Sequence, residues 1–160
     1  MTKKENPFKV LNPGEAWDAL IEYIKGRNNE YLEEFKCYLE QSNLSNKTIE
    51  KHLSNVDFYI NTYLTREYET LEDWDLEDGC YSIDGFIRYY FIRKCMWSSP
   101  STIKENIASF KKFYKFMLQK GCISKEAYDI MLETIKGEKD NWILACNKFD
   151  NGIIDYDELY

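Results

Sequence analysis

Few residues in this chain have the types and spacing needed for covalent chemistry. His52 is its only histidine, which excludes a site built on several imidazoles and leaves a nucleophilic triad one candidate base that no motif ties to a Cys or Ser. Five cysteines, Cys37, Cys80, Cys95, Cys122 and Cys146, are scattered and never form a Cys-x-x-Cys pair. No glycine-rich loop that could cradle a phosphate is present. The acids of residues 66–85 lack the ligand spacing of a calcium or zinc site, and Phe149 occupies a position where an EF-hand-like loop in the tail would need an oxygen ligand. The expectation is therefore no catalytic residue, no metal and no cofactor.

Cations are the more informative residues. Residues 86–125 carry nine Lys or Arg against one acid, Glu105, although the whole chain has a net charge of −7. The twenty residues before this block hold eight acids and one Arg. Within the block, Lys104, Lys111 and Lys115 fall inside an arc of about 40° if the segment is helical. Arg88, Arg93, Lys94, Lys112, Lys120 and Lys125 can enlarge the patch. Cations clustered on one rigid surface suit phosphate, so duplex DNA is one expected partner. An ordinary solvated lysine face is the competing reading of the same residues.

The elements that must hold these residues follow from hydrophobic periodicity. A stretch opened by Ser45-Asn46-Lys47-Thr48-Ile49 is matched, 54 positions later, by one opened by Ser99-Pro100-Ser101-Thr102-Ile103. Each starts with a serine able to cap a helix, and Pro100 is tolerated in a first turn. The first copy carries an apolar stripe at Ile49, Leu53, Val56, Tyr59, Ile60, Tyr63 and Leu64. The second carries Ile103, Ile107, Phe110, Phe113, Tyr114, Met117 and Leu118, and Gly121 is a suitable stop. Where the second copy has Lys104, Lys111 and Lys115, the first has Glu50, Asp57 and Asn61.

Other helices are expected from Pro13 to about Lys25, ended by Gly26-Arg27-Asn28-Asn29, and from Glu30 to about Gln41. A helix capped by Ser82 or Asp84 should run to about Trp97, with Met96 turned inward. A further one should run from Ser124 to about Ile135, and a short last one should hold Trp142, Ile143 and Cys146. Residues 66–85 read as an acidic connection pinned by Trp74. No segment alternates like a strand, so the fold class is all-α.

With 160 residues and 44% hydrophobic content, the chain can bury a core of its own. The unpaired cysteines, the lack of an apolar leader and the lack of a run of about 20 apolar residues give a soluble, cytoplasmic protein with no membrane partner and no small-molecule substrate as the expectation.

The order of these elements resembles the N-terminal core-binding domain of tyrosine recombinases, the phage integrases. The matching residues are Leu44, Ser45, Thr48 and Ile49, then Ser101, Thr102, Ile103, Ile107, Phe110, Phe113, Tyr114 and Phe116, within residues 30–122. The resemblance implies a small SAM-like helical bundle that clamps one side of a DNA duplex, with residues 1–29 and 123–160 as helical extensions. In the family an Arg-His-Arg set and a tyrosine nucleophile follow in a separate domain. About 40 residues follow Leu118 here, without Arg or His, so the resemblance implies DNA contact without strand cleavage. His52 stands where the family commonly has tyrosine, and Glu105 where it commonly has a basic residue. The expectation is a non-catalytic DNA-binding module; the alternative is a protein-interaction module that binds itself or a recombinase.

Overall fold

The computed structural model describes residues 12–67 and 75–152, and every long element among them is a helix. By its internal contacts the chain divides into two compact units, one ending at Gly79 and the other starting at Cys80. This division lies within residues 30–122. The expected pin Trp74 lies outside the described residues.

Among its described residues the first unit is built on two long helices. α1 spans Pro13–Glu40 and starts with the Asn12 side chain accepting the Glu15 N–H, so an orphan donor of the first turn is satisfied. The expected stop at residues 26–29 does not occur. A glycine inside a helix costs only about 1 kcal/mol relative to alanine, and the buried stripe Ala16, Leu20, Ile24, Asn28, Phe35 and Leu39 runs straight through Gly26. Asn28 belongs to this core because its amide is used between helices.

α2 covers residues 46–67 and begins as expected, with Ser45 Oγ accepting the Thr48 N–H at 3.2 Å. Its middle, Phe58–Tyr63, widens into a π-type turn, with the Leu64 N–H reaching the Tyr59 carbonyl. The wide turn advances less than 100° per residue, so it carries Asn61 off the line of Glu50 and Asp57 and into the interior. There Asn28 donates Nδ2 to Ile60 O at 3.2 Å and to Asn61 Oδ1 at 3.0 Å, and Asn61 Nδ2 donates to Asp57 at 2.6 Å and Asn29 at 3.2 Å. Tyr59 OH donates to Gly79 O at 2.5 Å, which ties the short 3₁₀ turn Leu76–Cys80 to α2.

Among its described residues the second unit has three long helices. α3 covers residues 83–94 and again contains a π-type turn, Phe86–Phe91, in which the Ile92 N–H reaches Ile87 O. It ends at Lys94, where Cys95 turns extended. Met96 is therefore fully exposed and not part of the core, and Ser82 makes no side-chain cap.

α4 spans Pro100–Gln119. Ser99 Oγ accepts the Thr102 N–H at 3.1 Å while Thr102 Oγ1 accepts the Ser99 N–H at 2.8 Å, a reciprocal box that satisfies two donors. At the far end Gly121 takes φ +76°, the Cys122 N–H reaches Met117 O and the Gly121 N–H reaches Leu118 O. This pair of bonds closes the helix with a left-handed residue that glycine adopts without strain.

α5 spans Lys125–Asp150, capped by Ser124, and replaces the two shorter helices expected there. Ala127, Met131, Ile135, Trp142 and Cys146 are buried along it, and Gly137 sits mid-helix with open space beside it. The all-α class holds for the described residues. The repeat extends further than the capped helices themselves: α1 and α3 end at Glu40 and Lys94, and α2 and α4 begin at Asn46 and Pro100, each pair in the same 54-residue register.

Candidate nucleic-acid interface

α4 buries most of its circumference. Ile103, Asn106, Ile107, Ser109, Phe110, Phe113, Tyr114 and Met117 all lie inside, and the two polar members are satisfied locally, Asn106 by Thr102 O at 2.8 Å and Ser109 by Glu105 O at 3.0 Å. What remains exposed is Ser101, Lys104, Ala108, Lys111, Lys112, Lys115 and Gln119, followed by the capping Lys120. At 100° per residue these α4 positions occupy a strip about 100° wide. It contains four lysines and no acid.

Lys104, Lys111, Lys112 and Lys115 are all exposed, and among the described residues none is shown in an ion pair. From Lys104 to Lys115 the strip runs about 16 Å along the axis, at 1.5 Å per residue. Ala108, between the first two, leaves the backbone surface low. The packing explains the concentration: a helix with a wide apolar stripe has only a narrow face for its charges. Glu105, the one acid of the block, is half-buried at the edge of the strip.

The other expected cations divide into three groups. Arg88 is bound inside its own unit: Nε donates to Asp84 Oδ1 at 3.2 Å and a terminal nitrogen donates to Glu138 Oε2 at 2.6 Å, and only 16% of its side chain is exposed. Trp142 Nε1 donates to the same Asp84 oxygen at 2.7 Å and Asn141 Nδ2 to Glu138 at 3.2 Å. Burial alone would lower the guanidinium pKa, but the facing Asp84 and Glu138 carboxylates raise it above its ordinary value. Arg88 therefore fastens α3 to α5, with its charge met by two carboxylates. The signal was present in the sequence, since Asp84 and Arg88 stand four apart on one helix face.

Arg93 and Lys94 lie in the last turn of α3. The Arg93 guanidinium carbon sits 5.5 Å from the Tyr89 ring centre and Lys94 Nζ 5.3 Å from that of Tyr90. These are cation–π contacts, and Lys94 is exposed. Lys120 lies over Phe116 at 5.6 Å. Lys125 is paired with Asp129 at 2.7 Å, which raises its pKa through that hydrogen bond and charge and offsets its own contribution to the patch.

The equivalent face of α2 has the opposite character. Glu50 and Asp57, at the positions of Lys104 and Lys111, are exposed. Asn61, at the position of Lys115, is buried by the wide turn and has no part in the surface. His52 is buried, with 6% of its surface exposed, and among the described residues no three His, Cys, Asp or Glu side chains gather as metal ligands. No helix among the described residues is long and apolar enough to cross a membrane. Compared with protein-family models, with curated protein sequences and with solved structures, the chain finds no match.

Proposed function

We propose that this protein is a non-catalytic DNA-binding module whose contact surface is the lysine strip of α4. The observation that carries the reading is the exposure of Lys104, Lys111, Lys112 and Lys115 on one strip of α4 that itself contains no acid. Each lysine can displace a counterion condensed on phosphate, and a straight helix presents them as a row. The resemblance to the core-binding domain of tyrosine recombinases agrees with this role, and a SAM-like arrangement belongs to the same proposal. Arg93 and Lys94 extend the cationic surface beyond α4, whereas Arg88 serves the scaffold.

Contacts of this kind read phosphate and not base sequence, so they give position and affinity without specificity. A gel-shift titration on mixed-sequence duplex at low salt tests the reading. Binding that weakens steeply as salt rises supports it; absence of binding at micromolar protein overturns it.

A second reading is self-association. The exposed Glu50 and Asp57 stand 54 residues before Lys104 and Lys111 on helices with the same cap and stripe, so one copy's acidic face matches another's basic face in register. Light scattering that shows a salt-sensitive oligomer supports this alternative, and a monomer at every salt and concentration removes it.

A further inference from the structure

The turn between α3 and α4 carries two large apolar side chains into solvent. Met96 is 100% exposed and Trp97 is 57% exposed, an arrangement that costs hydrophobic free energy in a chain with ample core elsewhere. The turn is rigid. Ser98 Oγ donates to Ile92 O at 3.2 Å, Thr102 Oγ1 donates to Trp97 O at 3.0 Å, and Ser99 and Thr102 form the reciprocal cap that starts α4. The Trp97 ring leans edge-on against Phe91, with centroids 6.4 Å apart, which fixes its orientation while leaving more than half of its surface open.

Cations flank this tip along the chain. Arg93 and Lys94 precede it in the last turn of α3, and Lys104 follows on α4 at about 7 Å from the cap, at 1.5 Å per residue. A rigid, exposed aromatic and a flexible thioether beside cations match a polyanion that also offers flat apolar faces. Nucleic acid with accessible bases has both properties: phosphates for the cations and a base face on which an indole can stack. Methionine is among the side chains that wedge between unstacked base steps.

Building on the DNA-binding reading, we propose that Met96 and Trp97 form a base-contacting wedge that stacks on an unpaired or unstacked base while the lysines of α4 hold the flanking phosphates. The protein then prefers DNA containing a bubble or gap to perfectly paired DNA. Stacking of one base on an aromatic side chain corresponds to a preference of about 5-fold to 100-fold.

The test uses the full chain and fluorescence anisotropy on three labelled DNAs of the same length: a paired duplex, the same duplex with a short central bubble, and a single strand. A 2-aminopurine placed in the bubble reports stacking directly. The wedge predicts tighter binding to the bubble, quenching of 2-aminopurine, and loss of both with Trp97→Ala while paired-duplex binding keeps its salt dependence. Met96→Ser, at a side chain with no packing to lose, should reduce the preference in the same direction, so the test survives if Trp97→Ala disturbs folding. Equal affinity for paired and bubbled DNA, unchanged in both variants, overturns the wedge and leaves the duplex reading intact. Failure to bind any of the three DNAs overturns both. Binding to vesicles containing an anionic lipid that is abolished by Trp97→Ala, with no DNA preference, assigns the tip to a lipid surface and likewise overturns the wedge.

Discussion

Replacing Arg88 by methionine separates scaffold cations from surface cations. The change leaves Asp84 and Glu138 without their shared partner, but these carboxylates are 42% and 35% exposed and water can reach them. The expected loss of stability is therefore about 1 to 2 kcal/mol, the lower part of the range for hydrogen bonds to charged groups. Urea denaturation measures it, and DNA affinity should stay within about twofold, as expected for a cation that makes no phosphate contact. Cys146 makes a second prediction. Its buried thiol lies 3.8 Å from Asp150 Oδ2, and burial, then the Asp150 carboxylate, pushes its pKa from an ordinary 9.0 up to about 11. A raised folded-state pKa means the folded protein holds a proton that the unfolded chain has released. Stability is thus complete below pH 9 and falls as pH rises toward 11. Cys95 and Tyr128 are shifted in the same direction, chiefly by burial, so Cys146→Ala should flatten the fall and not abolish it. A stability curve unchanged in slope by Cys146→Ala contradicts the assignment.

At the scale of elements, the glycines divide by backbone. Gly26 and Gly137 sit within α1 and α5, where an added Cβ meets nothing within 4 Å. Alanine at either position should stabilise by about 0.5 to 1 kcal/mol. Gly121 takes φ +76°, so Gly121→Ala should destabilise by about 1 kcal/mol although its surroundings are equally open. Thermal unfolding of the three variants checks the signs. These same residues explain what could be read in the sequence. Ser45, Ser99 and Ser124 all cap helices, and Gly121 stops one, because each satisfies backbone groups by purely local chemistry. The breaks expected at Gly26 and beyond Ile135 fail because tertiary burial outweighs one glycine: Asn28 is a core residue through its bonds to α2, and Trp142 and Cys146 continue the stripe of α5. The π-type turns carry no signature in residue type. Their consequence, the inward rotation of Asn61 between Asp57 and Asn28, was therefore out of reach of a 3.6-residue wheel.

For the whole molecule, the decisive quantity is where charge stands. A net charge of −7 opposes polyanion binding at long range, yet the exposed strip of α4 contains four lysines and no acid. The Debye length is about 10 Å at 0.1 M salt, so charges on the strip itself weigh more in the potential there than charges farther away. The strip was legible from Lys104, Lys111 and Lys115 alone, because one capped, strongly amphipathic helix fixes which residues share a face. The pairing of Arg88 with Glu138 was not legible, because that partner comes from a helix fifty positions away. The central claim, that the α4 lysines make phosphate contacts, is tested by the salt dependence of duplex binding for the native chain and for Lys104→Ala/Lys111→Ala/Lys115→Ala, measured between about 50 and 200 mM salt. The account predicts weaker binding in the triple variant and a plot of log K against log salt that is shallower by about 0.9 for each lysine removed. An unchanged affinity and slope in a variant that remains folded would contradict it.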